Sequence, residues 1–256
     1  MKKNRLCMEA EDHKIEWLEF DLLLEHPRVL NKVFLRHGGT SKNEFSTLNA
    51  STTVGDHPDS VKANRELMKN LMQVDKILFA NQVHKSDVLK VSSKDNNLPP
   101  ADAIYTLDKN LGLAVTHADC QAAIVYEPNI GLIGVIHAGW KGLVDGIYEK
   151  ALNTFVNEEG AKLEDMIVCI SPSLGSDHAE FVHYKEEFPE KFWDFQVKDN
   201  YFDLKGIAKK QIMDLGVAEK NIEMSDTCTY CNSRDYYSHR RDKKCGRHAT
   251  IVGLLP

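Results

Sequence analysis

Two rhythms of apolar residues run along this chain. Between Ser60 and Met72, Val61, Asn64, Leu67, Met68 and Leu71 recur at helical spacing, and Asp56 and Pro58 mark the start of that helix. Apolar runs with strand character come before and after it. Asn31–Arg36 predicts a strand ending at the Gly38–Gly39 turn, and a dense block follows with strands over Lys76–Val83, Val88–Ser92, Ala103–Thr106, Leu111–Thr116, Gln121–Tyr126 and Gly131–Ile136. The helical period returns over Gly142–Asn157 and over Lys205–Leu215, which Gly216 stops. Met166–Ile170 and Ala249–Leu254 read as further strands. Strands in the middle, helices at the flanks and short strand connections predict mixed or antiparallel pairing in one α+β domain over residues 1–256. The alternative division sets off a small C-terminal subdomain from about Pro189. Residues 1–16 are polar and are expected to be loosely ordered.

Composition narrows the function classes. The 256 residues carry a net charge of −6, so the basic surplus of a phosphate-gripping nucleic-acid binder is missing. No apolar stretch approaches the ~18 residues of a membrane span, and Met1–Glu16 lacks a signal peptide's apolar run. The expectation is therefore a cytoplasmic protein whose six cysteines are thiols or metal ligands.

The segment from His117 to Gly142 carries the chemistry. Two apolar strands flank Glu127-Pro128-Asn129-Ile130, a turn-like set. An antiparallel hairpin closed by those four residues sets Tyr126 opposite Gly131 and Cys120 opposite His137. Direct cross-strand partners have Cβ atoms about 4.5–5.5 Å apart on one face, which suits a sulfur and an imidazole sharing a tetrahedral metal. It equally suits a thiol beside its base. His84, at the expected end of the Lys76–Val83 strand, is the third candidate ligand. Two histidines and one cysteine leave a zinc coordination position open, as in catalytic sites. Singly, each of these residues reads as structural: a small buried hydrophobe for Cys120, a hydrogen-bonded strand-end residue for each histidine.

Weaker signals lie nearby. Gly139 and Gly142 around Trp140-Lys141 predict either a tight turn or a helix N-terminus that receives phosphate. Cys228-Thr-Tyr-Cys231 lacks the second pair of a zinc ribbon and reads as structural, with a redox pair the weaker alternative. His239-Arg240-Arg241-Asp242 is either an anion contact or a solvated charged turn.

From Phe34 to the C-terminus the chain resembles the bacterial laccase-domain proteins, known variously as polyphenol oxidases, purine nucleoside phosphorylases or peptidoglycan editing factors. The resemblance is carried by Phe34–Ser41, Phe45–Asn49, Val54–Pro58, Asn64-Arg65, Gln82–His84, Ala101–Ala103, Ala118–Cys120, His137–Gly142, Asp226–Thr229, Tyr237–Arg241 and Gly246-Arg247. It implies an α/β/β/α sandwich of mixed β-sheets flanked by helices, with His84, Cys120 and His137 as the catalytic metal ligands. The implied substrates are purine nucleosides: phosphorolysis of adenosine, inosine, guanosine and methylthioadenosine, and deamination of adenosine. The ion would be zinc, with copper the alternative. Three departures stand out. Lys85 stands in place of a usual Gly, Lys141 in place of a usual Arg, and Ser171–Glu180 follows the family's Gly-Pro-x-Ile-Gly stretch loosely.

On this reading Arg65, Lys141 and Arg240 are candidate anion contacts, Asn49 a substrate hydrogen-bonder and Asp119 an orienter of a ligand. Strand alternation leaves the side taken by His117 open. The partners expected are a purine nucleoside and phosphate, with no nucleic acid and no membrane, and a homodimer is allowed for. The competing classes are a copper-dependent phenol oxidoreductase, a metal-free Cys/His hydrolase, a peptidoglycan precursor editing factor and a non-enzymatic nucleoside binder.

Overall fold

The computed structural model describes residues 8–10 and 13–256. Residues 1–7 and 11–12, part of the stretch expected to be loosely ordered, lie outside the described residues, whereas Met8–Ala10 and His13–Ile15 of that stretch pair as a two-stranded sheet. Two sheets dominate. The first has six strands in the order Ile222–Met224, Ile167–Ile170, Gln121–Glu127, Leu132–Ala138, Ala103–Thr106 and Val88–Lys90. The second has five, in the order Trp17–Leu18, Val29–Phe34, His248–Leu254, Leu111–His117 and Lys76–Phe79. Both are mixed. Most pairs are antiparallel, with parallel pairs at 76–79 with 111–117, 88–90 with 103–106 and 167–170 with 222–224.

Strand alternation makes the layers. Ile124, Tyr126, Ile133 and Val135 on one sheet meet Val33, Leu113, Val115 and Val252 on the other in a buried core between the sheets. The intervening residues Ala123, Val125 and Ile136 turn outward against Tyr148, Leu152, Phe155, Ile207 and Ile212 of helices Ile147–Glu159 and Leu204–Leu215. On the far side, Phe34, Ala114 and Ile251 pack on Met68 and Met72 of helix Pro58–Met72. Residues buried on both faces of every central strand explain its continuous apolar run. The result is an α/β/β/α sandwich.

Several boundaries move from the sequence reading, and three of the differences bear on the layout. The Lys76–Val83 strand ends at Phe79. The Gly142–Asn157 helix is two helices, Trp140–Val144 and Ile147–Glu159, broken at Gly146, whose φ of +72° lies in the left-handed region. The segment after Pro189 is woven into both sheets, giving the edge strand 222–224 of one and the strand 248–254 inside the other. No helix of the described residues is long and apolar enough to cross a membrane.

Candidate active site

The 121–127/132–138 hairpin is antiparallel as expected, but its register differs by two residues. His137 lies opposite Ala122, and the loop is Pro128–Gly131. Gly131 takes a left-handed turn position, φ +69°, that a strand residue would resist. A shift of two preserves which face each residue takes. His137, in phase with Ile133 and Val135, still points into the space between the sheets. Cys120 sits just before its strand, and its sulfur meets His137 at the open rim of that space.

His84 corrects the sequence reading more sharply. It lies beyond the strand, in a turn, with φ +58°. A non-glycine residue there needs support, and Asp102 supplies it. The Asp102 carboxylate accepts the backbone N–H of Val83 (3.1 Å), His84 (3.0 Å) and Lys85 (2.8 Å). Gln82 clamps the same turn to the neighbouring strand through Thr116, donating to its carbonyl (2.7 Å) and accepting its N–H (2.8 Å). Asp102 also meets His137 Nδ1 at 2.8 Å. A carboxylate only accepts, so Nδ1 carries the proton and Nε2 is the nitrogen left to face the sulfur. One fully enclosed side chain thus fixes two of the three candidate ligands.

His84, Cys120 and His137 converge so that one donor atom from each lies within 4.8 Å of the others. The two rings stand edge to face, centroids 4.8 Å apart. Gly139 makes the approach feasible: a Cβ there would sit 3.1 Å from Cys120 Sγ and 3.3 Å from His84 Cδ2. Burial pushes the Cys120 thiol up, but His137 and the hydrogen bonds from both imidazoles outweigh it and hold the pKa below the ordinary thiol value. Burial likewise pulls His137 down, and the Cys120 sulfur and Asp102 reverse that. Burial raises Asp102 too, and His137 with the backbone N–H groups brings it below the usual carboxylate range. Two imidazoles and a readily ionised thiol at this spacing fit a tetrahedral ion with one position left over.

His84 and Cys120 line two cavities, and His137 lines the second of them. The larger, about 580 Å³, is walled by Val83, Trp140, Leu174 and Phe181, with Lys141 and Arg240 also lining it. The smaller, about 430 Å³, lies on the other side of His84, Cys120 and His239.

Other predicted residues fare unevenly. Arg240 has its Nη1 donating to Glu180 O (3.1 Å) and its backbone N–H to Asp119 (2.6 Å). Asp119 also accepts from Thr229 Oγ1 (2.7 Å), so its carboxylate secures the cavity wall and makes no hydrogen bond to the trio among the described residues. Arg65 belongs to a different cavity, about 500 Å³, where it stacks 3.7 Å over Phe79 and donates to Ala50 O. Burial lowers its pKa to about 10. Asn49 is enclosed and fully engaged. Its Nδ2 donates to Ser51 O and Asp56, and its Oδ1 accepts from Ser51 N and Arg247 N. It therefore positions Arg247 and has no free group for a substrate. The Gly139–Gly142 turn opens a helix of only five residues. Arg241 staples the carbonyls of Thr229, Tyr230 and Tyr236. Cys228 and Cys231 are free thiols, the former accepting Gly175 N–H. His117, in phase with Leu113 and Val115, points between the sheets and meets Thr250 Oγ1 at 2.8 Å.

Two residues escaped the sequence reading. Asp102 appeared only inside the Ala101–Ala103 match, and its partners lie 17 to 35 residues away. Arg247, also within a matched stretch, lines the smaller cavity.

A family model described as multi-copper polyphenol oxidoreductase laccase matches residues 31–255. The chain belongs to this family. Among its relatives, a Bacillus subtilis protein named purine nucleoside phosphorylase YlmD is 32% identical over 239 residues, 86% of each chain. An Escherichia coli protein named purine nucleoside phosphorylase YfiH is 30% identical, covering 86% of this chain and 91% of its own. The crystal structure of the Bacillus licheniformis hypothetical protein YfiH superimposes with a TM-score of 0.86 at 28% identity, over 96% of this laccase-family chain and 98% of its own.

Proposed function

We propose that this laccase-family chain is a zinc-dependent purine nucleoside phosphorylase that also deaminates adenosine, with His84, Cys120 and His137 as metal ligands and catalytic centre. The observation that carries the reading is the convergence of those three side chains, two of which, His84 and Cys120, line a cavity wide enough for a nucleoside and walled by aromatic rings. The relatives' names supply the reaction class. Bound there, zinc would supply Lewis acidity toward the charge that develops as the purine reacts.

The chain's own residues do the rest. Asp102 holds the His137 tautomer and the His84 turn. Trp140 and Phe181, centroids 5.8 Å apart, give the base an aromatic wall. Lys141 and Arg240 place positive charge along the same wall. Adenosine, inosine, guanosine and methylthioadenosine are the substrates proposed, in the cytoplasm. The test is metal content alongside product analysis on adenosine, with and without phosphate. Adenine forming only with phosphate marks phosphorolysis, inosine marks deamination, and neither product from zinc-loaded protein refutes the reading.

A second reading draws on the Cys120–His137–Asp102 chain, which is also the geometry of a thiolate nucleophile with an oriented base. Activity in metal-free protein that thiol alkylation abolishes would select it. Stoichiometric zinc, lost together with activity in Cys120→Ala, selects the metalloenzyme. A multicopper relay has less support. Besides the trio, the described residues offer one further convergent group, Glu16, His37 and Asp235.

A further inference from the structure

The smaller cavity behind the trio differs in character from the nucleoside-sized one. Arg247, Lys243 and Lys244 line it, and no carboxylate is part of its wall among the described residues. Arg247 is held in place on one side only. Its Nη1 donates to Cys245 O (2.7 Å) and Gly246 O (3.0 Å), and its backbone N–H to Asn49. Nε and Nη2 make no hydrogen bond among the described residues, which leaves a planar two-donor edge of the kind that grips oxyanions. The hydroxyls of Ser51 and Thr53, 3.1 Å apart, share the same wall.

We propose that this chamber receives inorganic phosphate, gripped by Arg247, Lys243 and the hydroxyls of Ser51 and Thr53, while the nucleoside fills the larger cavity. The inference rests on the phosphorylase reading and adds where the second substrate sits. Since the two cavities share His84, Cys120, His239 and Lys243, both substrates reach one centre from separate sides. In the step served, a phosphate oxygen bonds to ribose C1′ as the C1′–N9 bond breaks. That bond's electron pair goes to the purine, which takes up the hydrogen of HPO₄²⁻. The products are ribose 1-phosphate and the free base.

The test uses zinc-loaded full-length protein, with inorganic phosphate titrated calorimetrically and inosine phosphorolysis followed in parallel. Arg247→Met is expected to raise both the phosphate Kd and the phosphate KM by about tenfold or more, and Lys243→Gln by about threefold. In Arg247→Met the inosine KM and the zinc content stay within about twofold, a split that general loosening of the fold would not give. Should Arg247→Met fail to fold, Lys243→Gln and Thr53→Val carry the measurement. Phosphorolysis with an unchanged phosphate KM in these variants overturns the assignment and leaves the phosphorylase reading standing. Arg247-dependent phosphate binding without any phosphorolysis keeps the anion chamber and removes that reading.

Discussion

His137 and His117 stand on the two facing sheets, both buried, both turned into the space between them, and both near its open rim. Their partners differ. His137 has the Asp102 carboxylate on Nδ1 and the Cys120 sulfur beyond, and its pKa is raised. His117 has only the Thr250 hydroxyl. Burial, with His248, His137 and Arg247 nearby, drives its pKa well below the ordinary value. Equal burial therefore accompanies opposite shifts, and the neighbours decide the direction. The charged form is favoured in the histidine beside the sulfur and disfavoured in the one across the gap.

The strongest way to break this contrast is to remove the sulfur. Cys120→Ala is expected to empty the metal site and cut nucleoside turnover by at least about 10³-fold, with far-UV circular dichroism unchanged. Metal analysis and initial rates check both. Asp102→Asn comes next, because it replaces a carboxylate serving four donors with an amide that cannot enforce the tautomer. Metal affinity should fall by about 10–100-fold, read by competition with a chromogenic chelator. The variant should also lose about 1–3 kcal/mol of stability, read by urea unfolding.

The third prediction concerns pH in metal-free protein. The folded pKa of Cys120 is lowered, so its stabilisation is present at high pH and is lost as pH falls through that lowered value. The folded pKa of His137 is raised, so its contribution is full below the unfolded value and is lost as pH rises through the raised one. Stability should therefore peak between the two. Alkylation of Cys120 should also remain fast well below the ~8.5 of an ordinary thiol. A rate that climbs tenfold per unit up to pH 8.5 would show that no such pair exists. The smallest effect expected is from Thr250→Val on the other sheet: about 0.5–1.5 kcal/mol of stability, with metal content intact.

How much of this was legible follows from distance along the chain. Cys120 and His137 sit on one hairpin, so alternation alone placed both on a common face even though the register differed by two. That slip came from Gly131, whose freedom to take a left-handed turn moved the loop by one residue. The paired central strands and the helix at 58–72 were plain because burial on one or two faces writes a period into the sequence. Arg65 and Asn49 looked like binding groups because nothing local reveals that a guanidinium covers Phe79 or that an amide is saturated. Asp102 was hidden for the same reason. Its role exists only once the 82–85 turn, the 103–106 strand and His137 have been brought together.

That convergence on Asp102 has an evolutionary edge. One carboxylate ties the backbone of His84 to the ring of His137, so the two ligands are not independent targets for mutation. Losing Asp102 would disturb both at once, and no single exchange at either histidine could restore the pair. Lineages that retain the trio are thereby expected to inherit position 102 with it, and any that abandon it should show all four positions drifting together.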